Sequence, residues 1–410
     1  MTAAIVALAA SLGSLTGNPD AVVAQPTQIN VEIDYMVGGG HSHQPSQAEI
    51  NAIIQMFACH GITLNAVIDD AVPHINVIPD SAGANNFFTW SGTNSFRWYK
   101  NQFFNNTGGG WHYCLFGHQY DPEDSTVAST CSSGLGETGG DDFIVTLGCA
   151  DSNIGTAFDR AATFAHELGH NLGLGHSAGD ETVDGAFSPN YASIMSYQYQ
   201  LEGVRSQMLC LDLVDSTSAK LLKEIDYSWG RFPTVDETAL SESRGVGVRS
   251  IDWNCNGNVG GIVAQDLNGQ TWCSMTGAKT EISDKNDWAS LVDNTFTELP
   301  PSRYEPCVTA DKAERYKMLS PATCSGAGVQ PALTTEPCIT PLMIWVDASY
   351  SGPSFGTGDF PFNSFRGAYD ASSQGSVILL QPTGAYNTGG VTTLSKPMTI
   401  AGPGVVTITP

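Results

Sequence analysis

Three of the chain's nine histidines fall within eleven positions, in the stretch "HELGHNLGLGH" at residues 166 to 176. His166 and His170 are four apart, so on a helix they project from one face, one turn above the other, and can reach a single metal ion. Glu167 points beside them, within reach of a metal-held water without being a ligand. A catalytic zinc site commonly takes three protein ligands and leaves a fourth position for water. His176 supplies the third if the chain reverses after His170, and Gly173 permits that reversal because a residue without Cβ adopts positive φ at little cost. A closed structural site would use a fourth protein ligand and would have no use for the Glu.

Such a constellation has to be carried on a helix. The spacing predicts one beginning near Thr156, where Thr156 and Asp159 form a capping box and Phe158, Ala161, Ala162, Ala165 and Leu172 make the apolar face. Ahead of it, "INVEIDY" from Ile29 alternates apolar and polar residues as a half-buried strand does. "PSQAEINAIIQMFACHG" then reads as a helix capped by Ser46 and Glu49, with a stripe of Ile50, Ile53, Ile54 and Phe57 and a stop at Gly61. "ITLNAVID" alternates again, which gives a βαβ unit with parallel strands. "WHYCLFGHQY" and "DDFIVTLG" are further strand-like runs among loops. The expected class is therefore α+β.

The sequence resembles the metzincin zinc endopeptidases. "HELGHNLGLGH" fits their H-E-x-x-H-x-x-G-x-x-H signature, and "SIMSY" at 193 to 197 is similar to their Met-turn, with Met195 under the metal. Ser177 after the third histidine is as in the matrixins, whereas Tyr197, two after the Met, is as in the serralysins and astacins, where that Tyr can ligate zinc. The 19 positions from His176 to Met195 depart from these groups. "EIDYMVGGGHSH", "GDDFIVTLG", "DYSWGRFPTVDE" and "SIDWNCNG" look like segments of exported bacterial metzincins, over about residues 28 to 295. The resemblance implies a twisted mixed sheet, an active-site helix, and an extended protein or peptide substrate held along an edge strand. It implies peptide-bond hydrolysis with Glu167 as general base and Tyr197 as a catalytic helper.

Composition narrows the rest. The chain has 410 residues, 41% of them hydrophobic, and 17 basic against 41 acidic residues give a net charge of −24. That charge repels nucleic acid and anionic membranes. Ten cysteines without a C-x-x-C pair point to disulfides and export, with Cys59 read as core or disulfide and not as a zinc-blocking thiol. "AAIVALAASLGSL" followed by "AVVA" suits a signal peptide over 1–24, cleaved after Ala24, and no later run is apolar and long enough to span a membrane. Secretion, with or without retention at the cell surface, is the expectation; oligomeric state is left open.

The expected organisation is a catalytic domain over 25–240, a Cys-, Asn- and Gly-rich extension over 241–340, and a β-rich tail over 341–410. "DWNCNGNV" has the D-x-N-x-N-G start of a Ca²⁺ loop, with Asp252, Asn254 and Asn256 as oxygen donors, although Val263 stands where the closing Glu belongs. In the tail, "MIWVDAS", "GSVILLQ", "PMTIAG" and "GVVTIT" are similar to the opening rungs of a parallel β-helix, and two or three units suggest a piece of a longer protein. Two rival readings follow: a surface adhesion or glycan-binding protein with a relic metal site, against which the intact Glu167 argues, and a polysaccharide lyase, which lacks a carboxylate cluster. His41 and His43 have the types to hold a metal but are assigned to an exposed Gly-rich loop. His60, His74, His112 and His118 have no partner at ligand spacing and are given no role.

Overall fold

The computed structural model describes residues 25–80, 87–120, 131–178, 188–201, 203–205, 223–246, 251–254, 256–267, 280–295, 304–306, 343–354, 356, 358–372, 376–381, 385–387, 398–401 and 407–409. The expected signal peptide over 1–24 lies outside them.

The βαβ unit forms as its pattern demands. Strand β1 (Gln28–Gly38) turns through the short β2 (His41–Ser42) into helix α1 (Gln47–Ala58), and β3 (Thr63–Pro73) returns parallel to β1. Ser46 Oγ accepts from the Glu49 amide at 3.3 Å and the Glu49 carboxylate accepts from the Ser46 amide at 3.1 Å, so the capping box is reciprocal. After α1 the chain reverses at Gly61, whose φ of +73° lets the Ile62 amide reach back to Phe57 O at 3.1 Å.

Beyond β3 come α2 (Phe96–Phe103), β4 (His112–Gly117), β5 (Gly134–Glu137), β6 (Asp142–Thr146) and α3 (Ala157–Asn171). In the main sheet β3, β1, β4 and β6 lie side by side and parallel. β5 pairs antiparallel with β6, and β13 (Tyr304–Pro306) pairs antiparallel with the other side of β5. Period-two alternation gives each strand two faces. Ile29, Val31, Ile33, Cys114, Phe116, Phe143 and Val145 face α1 and α3, whereas Met36, Tyr113, Leu115 and Ile144 face a second core that contains Phe96 and Tyr99 of α2. The two helices over the first face are joined by a part-buried ion pair, Arg160 Nε to Glu49 Oε2 at 2.9 Å, so the capping Glu of α1 also anchors α3.

The later strands are short: β7 (Val204–Arg205) with β8 (Lys223–Glu224), β9 (Val235–Asp236) with β12 (Glu281–Ile282), and β10 (Leu240–Ser241) with β11 (Ile262–Val263). The four apolar runs of the tail are the strands β14 (Met343–Val346), β15 (Val377–Leu380), β17 (Thr399–Ala401) and β18 (Thr407–Thr409). β14, β15 and β17 pair parallel, β16 (Ala385–Asn387) pairs parallel with β18, and α4 (Phe365–Ala371) supplies Phe365 and Ala368 to the apolar cluster that holds Ile344 and Ile378. One apolar cluster runs across both expected domain limits, joining Phe232 and Val235 to Leu240, Trp253 and Ile282, and these to Trp345 and Val377. Among the described residues no helix is long and apolar enough to cross a membrane.

Candidate metal centre

Helix α3 delivers the first two histidines. Its Thr156 and Asp159 form the expected capping box, with Asp159 Oδ2 accepting from the Thr156 amide at 2.9 Å. At its far end Gly173 has φ +85°, and the Leu174 amide donates to Gly169 O at 2.9 Å, which closes the reversal that carries the chain to His176. His166 and His170 are fully buried and His176 nearly so.

Their Nε2 atoms converge: His166 to His170 at 3.1 Å and His166 to His176 at 3.2 Å. Hydrogen bonds on the other ring nitrogen decide what those atoms are. His166 Nδ1 donates to Ile194 O at 2.9 Å and His170 Nδ1 to Leu174 O at 2.8 Å. A carbonyl can only accept, so in a neutral ring the proton sits on Nδ1 and Nε2 presents a lone pair. Burial pushes His166 down to about 4, against the raising effect of Ile194 O, which keeps the ring neutral. Two lone pairs facing each other at 3.1 Å repel unless a cation lies between them. Ligands about 2.05 Å from a tetrahedral zinc stand ~3.3 Å apart, so the donor set fits that ion.

Glu167 is fully buried beside the cluster, against strand β5. A Cβ on Gly134 would lie 2.3 Å from Glu167 Oε1, and one on Gly136 would lie 3.0 Å from His170 Cβ. Two glycines at i and i+2 share a strand face, and here that face is pressed onto α3. Sequence reasoning passed over them, although "GLGE" before "DDFIVTLG" carries that signal. The outer edge of β5 is paired with β13.

The "SIMSY" segment closes the centre from below. Met195 is fully buried, and its Sδ would lie 2.4 Å from a Cβ on Gly169, so the thioether packs on the helix between the first two histidines. Ile194 O holds His166, and the Ile194 amide donates to Asp226 O at 2.8 Å. Asp287, fully buried, accepts from Ser193 Oγ at 2.6 Å, Tyr191 OH at 2.8 Å and the Ser228 amide at 3.1 Å. Burial lifts its carboxyl to about 6, with Lys285 and these donors opposing. Tyr197 is half-buried, its ring centroid 4.2 Å from that of His176. Asp287, Asp226 and Asn171 escaped sequence reasoning, since no spacing links them to the motif. Asn171 ends α3, donates to Glu137 O and Asp142 O at 2.9 Å each, and has its Oδ1 3.0 Å from His112 Nδ1. It ties the helix to β5, β6 and β4.

The proposed calcium donors lie elsewhere. Asp252 accepts from the Asn256 and Gly257 amides, Asn254 from the Asn256 amide and Asn256 from the Asn258 amide, so these oxygens already hold the bend at Gly257, whose φ is +84°. Of the cysteines, Cys131 and Cys149 form a disulfide, Cys59 is disulfide-bonded, and Cys114 is a buried free thiol; the other six lie outside the described residues. His41 and His43 do not stand alone in a loop: the structure brings His74 and His118 to them, because the strands that precede those residues end together.

Residues 146–198, which contain the three histidines, Glu167 and Met195, match the family Peptidase M66. That match supports a peptidase. A crystal structure described as a zinc-dependent peptidase from Methanocorpusculum labreanum (strain Z) is 14% identical, with a TM-score of 0.23, covering 41% of this chain and 86% of that one. A comparison with curated proteins gives no match.

Proposed function

We propose that the chain is an exported zinc endopeptidase of metzincin type acting on protein or peptide substrates. The observation that carries this is the convergence of two lone-paired Nε2 atoms and His176 around one point, with Glu167 adjacent on the same helix. His166, His170 and His176 would hold the ion. Zinc, when bound, polarises the scissile carbonyl and acidifies a water molecule.

The chain's own residues do the rest. Glu167 takes the proton of the attacking water and delivers it to the leaving amine. Its burial against β5 keeps bulk water from competing for the carboxylate. Tyr197, beside His176, offers its hydroxyl to the charge that builds on the carbonyl oxygen. Ile194 O and Leu174 O fix the tautomers of His166 and His170 and so keep the ligand nitrogens available. The hydrogen bonds that Asp252, Asn254 and Asn256 accept account for the bend at Gly257 without an ion, and calcium is no part of this reading. Export is supported by the amino-terminal apolar run and the disulfide, and the tail is read as the start of a parallel β-helix from its parallel pairs.

The test is a Glu167→Ala chain assayed on a peptide library. It should keep its zinc and fold but lose turnover by at least ~10²-fold, the ordinary worth of a positioned base. Activity within tenfold of the unsubstituted protein would assign the base elsewhere.

A further inference from the structure

The parallel strands β1, β3 and β4 end at the same margin of the sheet. At Val37, β1 pairs with Pro73 of β3 on one side and with Ser42 of β2 on the other, so β2 continues the ladder where β4 has stopped. His41 and His43 arrive on this hairpin, His74 follows the last residue of β3, and His118 follows the last residue of β4. One ring nitrogen from each of the four lies within 4.8 Å of all the others. The closest three form a triangle: His41 Nε2 to His43 Nε2 at 3.1 Å, His41 Nε2 to His118 Nδ1 at 3.2 Å, and His118 Nδ1 to His43 Nε2 at 3.3 Å.

Hydrogen bonding cannot satisfy that triangle. Each corner is either an N–H or a lone pair, so two of three corners must be alike and at least one edge is repulsive. His74 Nε2 adds a buried nitrogen with no hydrogen-bond partner among the described residues. A cation at the centre turns every corner into a ligand, and a tetrahedral ion with metal–nitrogen distances of ~2.05 Å requires edges of ~3.3 Å. The backbone makes room for the approach: a Cβ on Gly38 would lie 2.7 Å from His74 Cβ.

We propose that His41, His43, His74 and His118 bind a second divalent transition-metal ion in an all-imidazole site distinct from the His166 centre. Nitrogen donors without a carboxylate favour zinc or its first-row neighbours over calcium or magnesium. Four protein ligands leave no position open for substrate, so the ion is structural and clamps the β1–β2 hairpin to the ends of β3 and β4. The two sites share no residue.

The experiment is zinc stoichiometry of the full chain after zinc loading and exhaustive dialysis. The unsubstituted protein should hold two zinc ions, and His118→Ala and a His41→Ala/His43→Ala pair should each lose one. A His170→Ala/His176→Ala chain leaves the four-histidine cluster whole, should keep one ion, and should show by X-ray absorption a first shell of imidazole nitrogens only; it also decides the matter if His118→Ala fails to fold. A single zinc that His176→Ala removes and His118→Ala retains would overturn this site and leave the proposed function standing. A single zinc that His118→Ala removes and His176→Ala retains would uphold this site and overturn the zinc centre of the peptidase.

Discussion

Replacing Gly134 by Ala probes the packing of β5 on α3 without touching any zinc ligand. The new Cβ would stand 2.3 Å from Glu167 Oε1, 2.6 Å from Ile144 O and 2.9 Å from Glu167 Cδ, whereas ordinary contact begins at 3.4 Å. Relief therefore needs a displacement of about 1 Å at the carboxylate. The alternative, moving Ile144 O, would break into the pairing of β5 with β6, in which Gly134 lies opposite Val145 and Leu135 opposite Ile144. Overpacking of this kind costs ~1–3 kcal/mol of stability. A misplacement of ~1 Å at a reacting group costs ~10²-fold in rate, equivalent to ~2.7 kcal/mol of barrier. The expected outcome is a Gly134→Ala chain with its zinc content intact and kcat on a reporter peptide lowered ~10²-fold. The assay pairs steady-state kinetics with metal analysis on one preparation. A kcat within about threefold of the unsubstituted enzyme would show that Glu167 does not depend on the glycine face of β5 for its position, and the packing argument would fall.

Asp287→Asn turns one acceptor of the buried carboxylate into a donor facing Ser193, Tyr191 and the Ser228 amide, and should lower stability by ~1–3 kcal/mol, read as a fall in Tm. Tyr197→Phe should lower kcat more than it raises KM if the hydroxyl acts on the developing oxyanion; an unchanged kcat would leave the ring as packing against His176. Burial raises the Asp226 and Asp284 carboxyls to about 7 each, so the folded protein holds protons that the unfolded chain has released. Their contribution to stability is complete below about pH 4 and is lost as pH rises through ~7. Unfolded histidines are about half protonated at pH 6.5 and largely neutral only above about pH 7.5, so the Tm of zinc-free protein should decline between about pH 7 and 8; a rise over that window would refute the assignment.

What was legible in the sequence is what local geometry dictates. Both capping boxes, the stop at Gly61, the reversal at Gly173 and the βαβ unit depend on residues within a few positions of one another, and all are present. The convergence of His166, His170 and His176 belongs to the same category, since a helical turn and one glycine determine it. The four-histidine cluster was not legible, because His43, His74 and His118 are separated by 31 and 44 positions and meet only when three parallel strands end together. Strand β5 escaped for a related reason: with Gly at alternate positions it lacks the apolar alternation that marks a strand, and its partner helix supplies the bulk instead.

The same distinction separates the histidines from the groups that hold them in place. Residues past 240 read as loop because Gly, Asn and Cys punctuate them, yet residues within 280–295 pack against α3 and its end. Asp287 carries Ser193 and Tyr191, Trp288 sits in the core with Phe57 and Tyr227, and the Val292 amide caps α3 through Leu172 O at 2.9 Å. Asp226, 61 positions earlier than Asp287, holds the Ile194 amide through its carbonyl and the Trp288 indole through its carboxylate at 3.0 Å. The "SIMSY" segment thus hangs from two aspartates brought together by Trp288. A metal centre needs its ligands fixed to within about 0.5 Å; here the buried polar groups that would supply such rigidity lie far along the chain, while the histidines that would hold the ion come from one helix and its turn.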